Sequence, residues 1–528
     1  MRYTILTILL VLLSYPGTAQ TAPPRRAMIL VFDHMRAEYI DRFQLPNFQR
    51  ARQLGLNFDN GYVGHLESNT VISHPVISSG LLPGHFAWGS LISKDERGLV
   101  GPRGGFFMPA RLRPHEWMAM QRKVVGELSL AARIKKLNPG PSFAVAQKAY
   151  SAYNFGGPYA DSIICLGEVL ESGPYQGYHR VAGARVPDYL TKPIGNRFYL
   201  EGLNTWGTTG LQGTGYVEGV DPERPGGDRW VGDVVEQIML QEPDWSLILA
   251  SFGAIDKISH VLAEHESPTE ADWALEHGIT LENSLRQADR ELGRILSRLE
   301  RSGLLEETAL LITADHGGQR NLHFHGRKDA PNHRDDSYFG KGKDFDFTSN
   351  PIPEFREFIE QGDVQALSLG TSVLGWTGPL SEQEREQLSE MASRLPGVAE
   401  VYRLLPDGAY RREFRSPLLK GPELEWARTR HPGLVDSLRG PGAPDLIALL
   451  FDNHGYGMIG AHGGAQELVQ RIPMIVLSPN LVRKGSRSRA WVRLVDLNPI
   501  LGELMGIPPD HRLDGTSDPV KPFLKADW

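Results

Sequence analysis

Short runs of consecutive apolar residues punctuate this chain, with helical or glycine-rich stretches between them. The runs are Ala27–Phe32, Phe143–Ala146, the apolar part of Asp244–Phe252, Leu310–Ala314, Leu446–Leu450 and Ile472–Leu477. Each is four to six residues long and lacks polar alternation, as expected of strands buried on both faces. Helical spacing fills several of the gaps. Leu45–Gly55 predicts a helix stopped by its glycine, and Val495–Gly506 predicts a closing helix. Between Leu281 and Ser302, the positions Leu285, Ala288, Leu292, Ile295, Leu296 and Leu299 form one apolar stripe. Strand, long helix, strand is the grammar of a mostly parallel α/β sheet.

Two regions depart from that pattern. Residues 100–240 are rich in glycine, proline and aromatics without a clear period, which predicts core elements joined by long active-site loops. Residues 331–440 surround one helix, Ser381–Ser393, and one short strand, Gly397–Leu404, with charged and Gly/Pro-rich pieces. They read as an inserted cap subdomain. The expected division is a core over 27–330, the cap over 331–440 and the rest of the core over 441–525. No internal repeat is evident.

Composition narrows the partners. Of 528 residues, 41% are hydrophobic and 23% charged, ordinary for a globular protein, and the net charge of −7 gives no sign of a nucleic-acid-binding surface. A single cysteine, Cys165, excludes an intramolecular disulfide framework and any cysteine-rich zinc site. Any metal would therefore be held by His, Asp, Glu and hydroxyls. At the N-terminus, Arg2 precedes the apolar run Ile5–Leu13 and then Pro16-Gly17-Thr18-Ala19. This is the layout of a secretory signal peptide over 1–19, and it is short for a membrane span. The expected location is periplasmic or secreted, with no membrane span after signal removal.

Chemistry collects at the ends of the apolar runs. Asp33 follows the first. Asp256 and His260 follow the strand-like stretch Asp244–Phe252 at an i, i+4 spacing that puts both on one helix face. Asp315-His316 close the Leu310–Ala314 run before Gly317-Gly318, and His462 lies in a glycine-rich loop. Carboxyl ends of strands are where open α/β sheets bind ligands. Three carboxylates and three imidazoles suit a borderline divalent metal, zinc first and manganese or iron second, and would overfill one tetrahedral site. Two ions could share them. The stretch Asn69–His85 offers hydroxyls at Thr70, Ser73, Ser78 and Ser79, among which composition does not choose a nucleophile. Lys148, just past a strand, could reach an anionic substrate; a solvated lysine is the plainer alternative.

With these pieces in order, the chain resembles the alkaline phosphatase superfamily, closest to the type I phosphodiesterase/nucleotide pyrophosphatase branch and its bacterial phosphatase relatives. The matching motifs are Val31-Phe32-Asp33, Thr70-Val71-Ile72-Ser73-His74 with Ser79-Gly80-Leu81-Leu82-Pro83, Asp256-Lys257-Ile258-Ser259-His260, Ala314-Asp315-His316-Gly317 and Ala461-His462-Gly463. The resemblance implies a three-layer sandwich, with helices on both faces of a mostly parallel central sheet and an inserted cap. It implies Thr70 as nucleophile and a phosphothreonine intermediate. One metal would be held by Asp33, Thr70, Asp315 and His316, the other by Asp256, His260 and His462. The substrate would be a small phosphate ester. Ser90 is the best match for an asparagine that contacts a phosphoryl oxygen in many relatives, although the Pro83-Gly84-His85 turn is one residue tighter. Lys148 resembles a basic residue that some monoesterases of the group set against the phosphate. Monoesterase and diesterase specificity both remain open. A sulfatase would need a modified Cys or Ser in a Cys/Ser-x-Pro-x-Arg context, which is absent around Thr70. A phosphoglycerate-mutase-like isomerase is disfavoured by the threonine and by export. A non-catalytic binding protein on the same scaffold would ordinarily have lost ligands.

Overall fold

The computed structural model describes residues 22–166, 181–190, 228–262, 280–321, 323–324, 338–340, 363–456 and 460–525. The signal-peptide stretch 1–19 and the 191–227 part of the long-loop region lie outside the described residues. In chain order, the principal elements of the first part are β1 (Arg26–Phe32), α1 (Pro46–Leu54), β2 (Leu56–Tyr62), α2 (Thr70–Ser79), β3 (Ser142–Ala146), α3 (Ala149–Gly156), β4 (Ser162–Leu166) and β5 (Val181–Ala182). Then come α4 (Asp228–Gln241), β6 (Leu247–Phe252), α5 (Ala254–Leu262), α6 (Leu281–Arg301) and β7 (Thr308–Thr313). The later part holds β8 (Tyr338–Gly340), β9 (Val364–Leu369), β10 (Ser372–Thr377), α7 (Glu382–Ser393), β11 (Val398–Leu404), β12 (Tyr410–Arg415), α8 (Gly421–Asp436) and β13 (Leu446–Leu450). It closes with β14 (Met474–Leu477), β15 (Ser486–Arg493) and α9 (Leu497–Leu504).

The main sheet runs β15-β2-β14-β7-β1-β6-β3-β4-β5. Its middle, β7-β1-β6-β3-β4, is parallel throughout, while β14 and β5 run against their neighbours. The apolar runs explain this placement: every residue of β3, β6 and β7 is buried, as are six of seven in β1. One helix group, α1, α4 and α5 around α6, packs separately from another, in which α2 meets α3 and α9. Both groups touch β3 and β6, through α4 and through α3, so the sheet is covered on two faces. The stripe predicted along 281–302 is the buried face of α6, whose N-cap Thr280 accepts a hydrogen bond from Asn283 N (3.0 Å). The three-layer α/β architecture expected from the sequence is therefore present.

The later part builds a second, six-stranded sheet, β8-β9-β10-β13-β11-β12, with every pairing antiparallel. Leu446–Leu450, read from its apolar run as a return to the core sheet, is instead β13, between β10 and β11 of this second sheet. Its sequence could not reveal this, because a strand buried on both faces looks alike in either sheet. Alternate residues take opposite sides, as strand geometry requires. Leu446, Ala448 and Leu450 face Leu388 and Ala392 of α7. Ile447 and Leu449 face Leu434 and Val435 of α8, together with Leu66, Ile92 and Ala465 from the main body.

Ile29, in the central strand and fully buried, tests the dominance of the main core. Ile29→Ala is expected to cost about 2–5 kcal/mol, seen as a lowered thermal-unfolding midpoint. Leu418→Ala, at a position 72% exposed, should change stability by less than about 0.5 kcal/mol.

Candidate active site

Register sets the site. Phe32 pairs with Phe252, Val31 with Thr313, and Ala146 with Ser251. The carboxyl ends of β3, β6, β1 and β7 therefore lie level. Just beyond them stand Lys148, Asp256, Asp33 and Asp315-His316. Lys148 occupies the N-cap position of α3, and Asp256 lies in the first turn of α5. Thr70 is the first residue of α2, whose N-cap Asn69 accepts from Ile72 N (3.3 Å). His462 arrives from far along the chain through a short antiparallel pairing of Gln319-Arg320 with Gly460-Ala461.

Thr70 Oγ1 is 3.3 Å from Asp33 Oδ2, 3.3 Å from His316 Nε2 and 3.4 Å from Lys148 Nζ. Lys148 Nζ bridges Asp33 Oδ2 and Asp256 Oδ2, at 2.6 Å each. His316 Nδ1 donates to Gly317 O (2.9 Å), which leaves the Nε2 lone pair facing Asp33 Oδ1 at 3.2 Å. His462 likewise donates Nδ1–H to Ser68 O (3.2 Å) and turns Nε2 to Asp256 Oδ1 at 3.4 Å. The His316 and His462 rings stack, with centroids 3.8 Å apart. The structure thus brings together Asp33, Thr70, Lys148, Asp256, Asp315, His316 and His462. His260 is on α5 one turn after Asp256, but its side chain lies outside the described residues.

The electrostatics are those of a cation cradle. Burial, then Asp256 and Asp315, push the Asp33 carboxyl well above its ordinary range. Burial pushes Asp315 up as well, against the pull of Lys148, and its Oδ2 has no hydrogen-bond partner among the described residues. Burial works against the Lys148 ammonium, yet the Asp256 and Asp33 carboxylates hold its pKa well above normal. Burial, assisted by His462, lowers His316, so its ring is neutral, as a metal ligand requires. The donors are carboxylate oxygens, imidazole nitrogens and one hydroxyl, a set that fits zinc-like divalent ions. Two groups of donors lie within 4.8 Å of one another: Asp33, Asp315 and His316, and His34, Asp256, His316 and His462.

Sequence reasoning missed His34 and Glu67. The signal for His34 was its place directly after a strand-end aspartate. Ser90 donates to Glu67 Oε2 (3.0 Å), while Ser372 donates to Glu67 Oε1 (2.7 Å). Ser90 would contact a substrate only by releasing that bond. His74, the last residue of the threonine motif, bonds Thr70 O and Ser251 Oγ, both at 2.9 Å. It pins the start of α2 against β6, and burial depresses its pKa to about 3, so it does this as a neutral ring.

Glu67 generates a pH prediction. Burial pushes its carboxyl from the ordinary 4.5 up to about 7. Between those values the folded chain holds a proton that the unfolded chain has lost, so stability falls as pH rises from 4.5 to 7. Glu67→Gln keeps partners for both serines and removes the titration. From pH 5 to pH 8 the wild type should lose roughly 2–3 kcal/mol relative to the variant, measured by paired denaturation curves.

A family model described as type I phosphodiesterase/nucleotide pyrophosphatase matches residues 186–395, a span containing Asp256, His260, Asp315 and His316. No curated protein matches the sequence significantly. Solved structures share the fold. Wild-type alkaline phosphatase PafA is similar at a TM-score of 0.64 and 12% identity, covering 95% of this chain and 99% of that one. Murine ectonucleotide pyrophosphatase/phosphodiesterase 5, as an inactive threonine-to-alanine variant in complex with AMP, is similar at 0.53 and 14% identity, covering 95% and 100%. The human form gives 0.52 and 14%, with the same coverage. These findings fit the alkaline phosphatase superfamily, as the sequence motifs implied.

Proposed function

We propose, on the premise of that fold and family resemblance, that this protein is an exported two-metal phosphoric ester hydrolase acting through a phosphothreonine on Thr70. Phosphoester hydrolysis is supported by the family-model match and the fold neighbours together. The observation that carries the assignment of Thr70 as nucleophile is the setting of its Oγ1, within 3.5 Å of Asp33, His316 and Lys148 at the start of a ten-residue helix.

Asp33, Thr70, Asp315 and His316 would hold one divalent ion, and Asp256, His260 and His462 the other, with zinc the best match to the donors. When bound, such ions supply Lewis acidity and neutralise phosphoryl charge. The chain's own residues do the rest. Asp33 and His316 fix the Thr70 rotamer. The first turn of α2 presents backbone N–H groups and the positive end of its dipole to an anion beside Thr70. In the first half-reaction the Thr70 Oγ–P bond forms and the bond from phosphorus to the leaving alcohol breaks; the alcohol leaves with a proton. In the second, water attacks phosphorus, the Thr70 Oγ–P bond breaks and inorganic phosphate, or a monoester from a diester substrate, is released. Lys148 would stabilise charge on the non-bridging oxygens once it exchanges a carboxylate for substrate.

Lys148 beside Thr70 favours a doubly charged monoester, while the family description favours a diester or nucleotide. The AMP held by the murine relative's inactive variant supports keeping the nucleotide reading. Export rests on the N-terminal sequence pattern. No helix among the described residues is long and apolar enough to cross a membrane.

Turnover of p-nitrophenyl phosphate, bis-p-nitrophenyl phosphate and p-nitrophenyl sulfate separates these readings. The phosphate esters should be hydrolysed and the sulfate spared. Thr70→Ala is expected to lower phosphate-ester turnover by about 10³-fold or more; full activity in that variant would sink the nucleophile assignment. Lys148→Ala should reduce monoester turnover more than diester turnover. Chelation should abolish activity and Zn²⁺ should restore it. Metal-loaded protein inert towards every ester would instead favour a binding role.

A further inference from the structure

We propose that His34 is an additional metal ligand, joining Asp256 and His462 at the second metal position. The inference rests on the two-metal reading and extends it, since the family motifs assign no role to His34. Its Nδ1 lies 3.1 Å from Asp256 Oδ1, the same oxygen that His462 Nε2 approaches at 3.4 Å. Ligand atoms about 2.0–2.1 Å from a tetrahedral zinc stand about 3.3 Å apart, and the two measured separations straddle that value. His462 has committed its Nδ1–H to Ser68 O, so its lone pair faces a carboxylate oxygen. The His34 ring joins the same convergence: His34, Asp256, His316 and His462 each offer a donor within 4.8 Å of the others.

The fold holds His34 there at a conformational cost. Its φ is +69°, in the left-handed region that a non-glycine residue occupies when its surroundings require it. Its N–H donates to Asp315 Oδ1 (3.3 Å), tying the turn to the other metal's carboxylate. Its ring lies against Gly318, where any Cβ would overlap it. The second glycine after Asp315-His316 thus makes room for this imidazole. The side chain is 3% exposed, so it faces the carboxylates rather than water.

The test uses the full-length protein loaded with Zn²⁺ or Co²⁺. Metal content per chain, affinity by chelator competition and the Co²⁺ visible spectrum are compared for wild type, His34→Asn, His34→Gly and Asp256→Ala. Asparagine and glycine both accept the positive φ, and asparagine can still hydrogen-bond Asp256. If His34 is a ligand, both His34 variants should bind one of the two ions at least about ten-fold more weakly, with an altered Co²⁺ spectrum. Wild-type affinity and spectrum in His34→Asn would overturn the proposal and leave His34 as a positioning residue for Asp256. Loss of one ion in Asp256→Ala with neither His34 variant affected would overturn this inference alone. A wild type holding fewer than two ions would overturn the two-metal reading and the His34 assignment with it.

Discussion

Three buried carboxylates held in one small space are the constraint on which the rest of the structure depends. Burial and the neighbouring Asp256 and Asp315 raise the proton affinity of Asp33, burial and Asp256 raise that of Asp315, and Lys148 is the ammonium set among the three. Buried like charges separate or neutralise unless the scaffold confines them and a cation compensates. Confinement here comes from the sheet. The strands β3, β6, β1 and β7 are parallel neighbours whose fully buried residues lock their register, so the residues just past their ends cannot drift apart.

The second sheet contributes from a distance. Its α8-facing side packs on Leu66 and Ala465, immediately beside Glu67-Ser68 and the Gly463-Gly464 turn. Ser68 O orients the His462 ring, and Glu67 ties Ser90 to Ser372 at the start of β10. The loop leading to Thr70 and the loop carrying His462 are therefore fastened to the same apolar seam. Substitutions in that seam act on the site through geometry rather than contact.

Much of the site was legible in the chain. A carboxylate directly after an apolar run marks a strand end, and Asp33 and Asp315 each stand at one. An i, i+4 Asp/His spacing marks one helix face, and of that pair the structure describes the Asp256 side chain at the site. His462 was readable only through its motif, because the pairing that carries it to Asp256 and His316 is two residues long and has no apolar signature. Ser90 was placed by a motif spacing that differs from the relatives', and its hydroxyl turns to Glu67, a residue with no distinguishing pattern. Leu446–Leu450 was correctly a buried strand, but not a strand of the core sheet.

By itself, the sequence determined which segments are buried strands, where each ends, and which acids and imidazoles stand at those ends. Solvent exclusion and backbone period operate locally, so they are written locally. Only the tertiary structure decided strand order, and with it which ends are neighbours. It decided that β13 belongs to the second sheet, that Lys148 bridges Asp33 and Asp256, and that His34 turns inward through a left-handed residue into the space left by Gly318. These depend on pairings between residues up to hundreds of positions apart, and no local pattern of polarity encodes the partner.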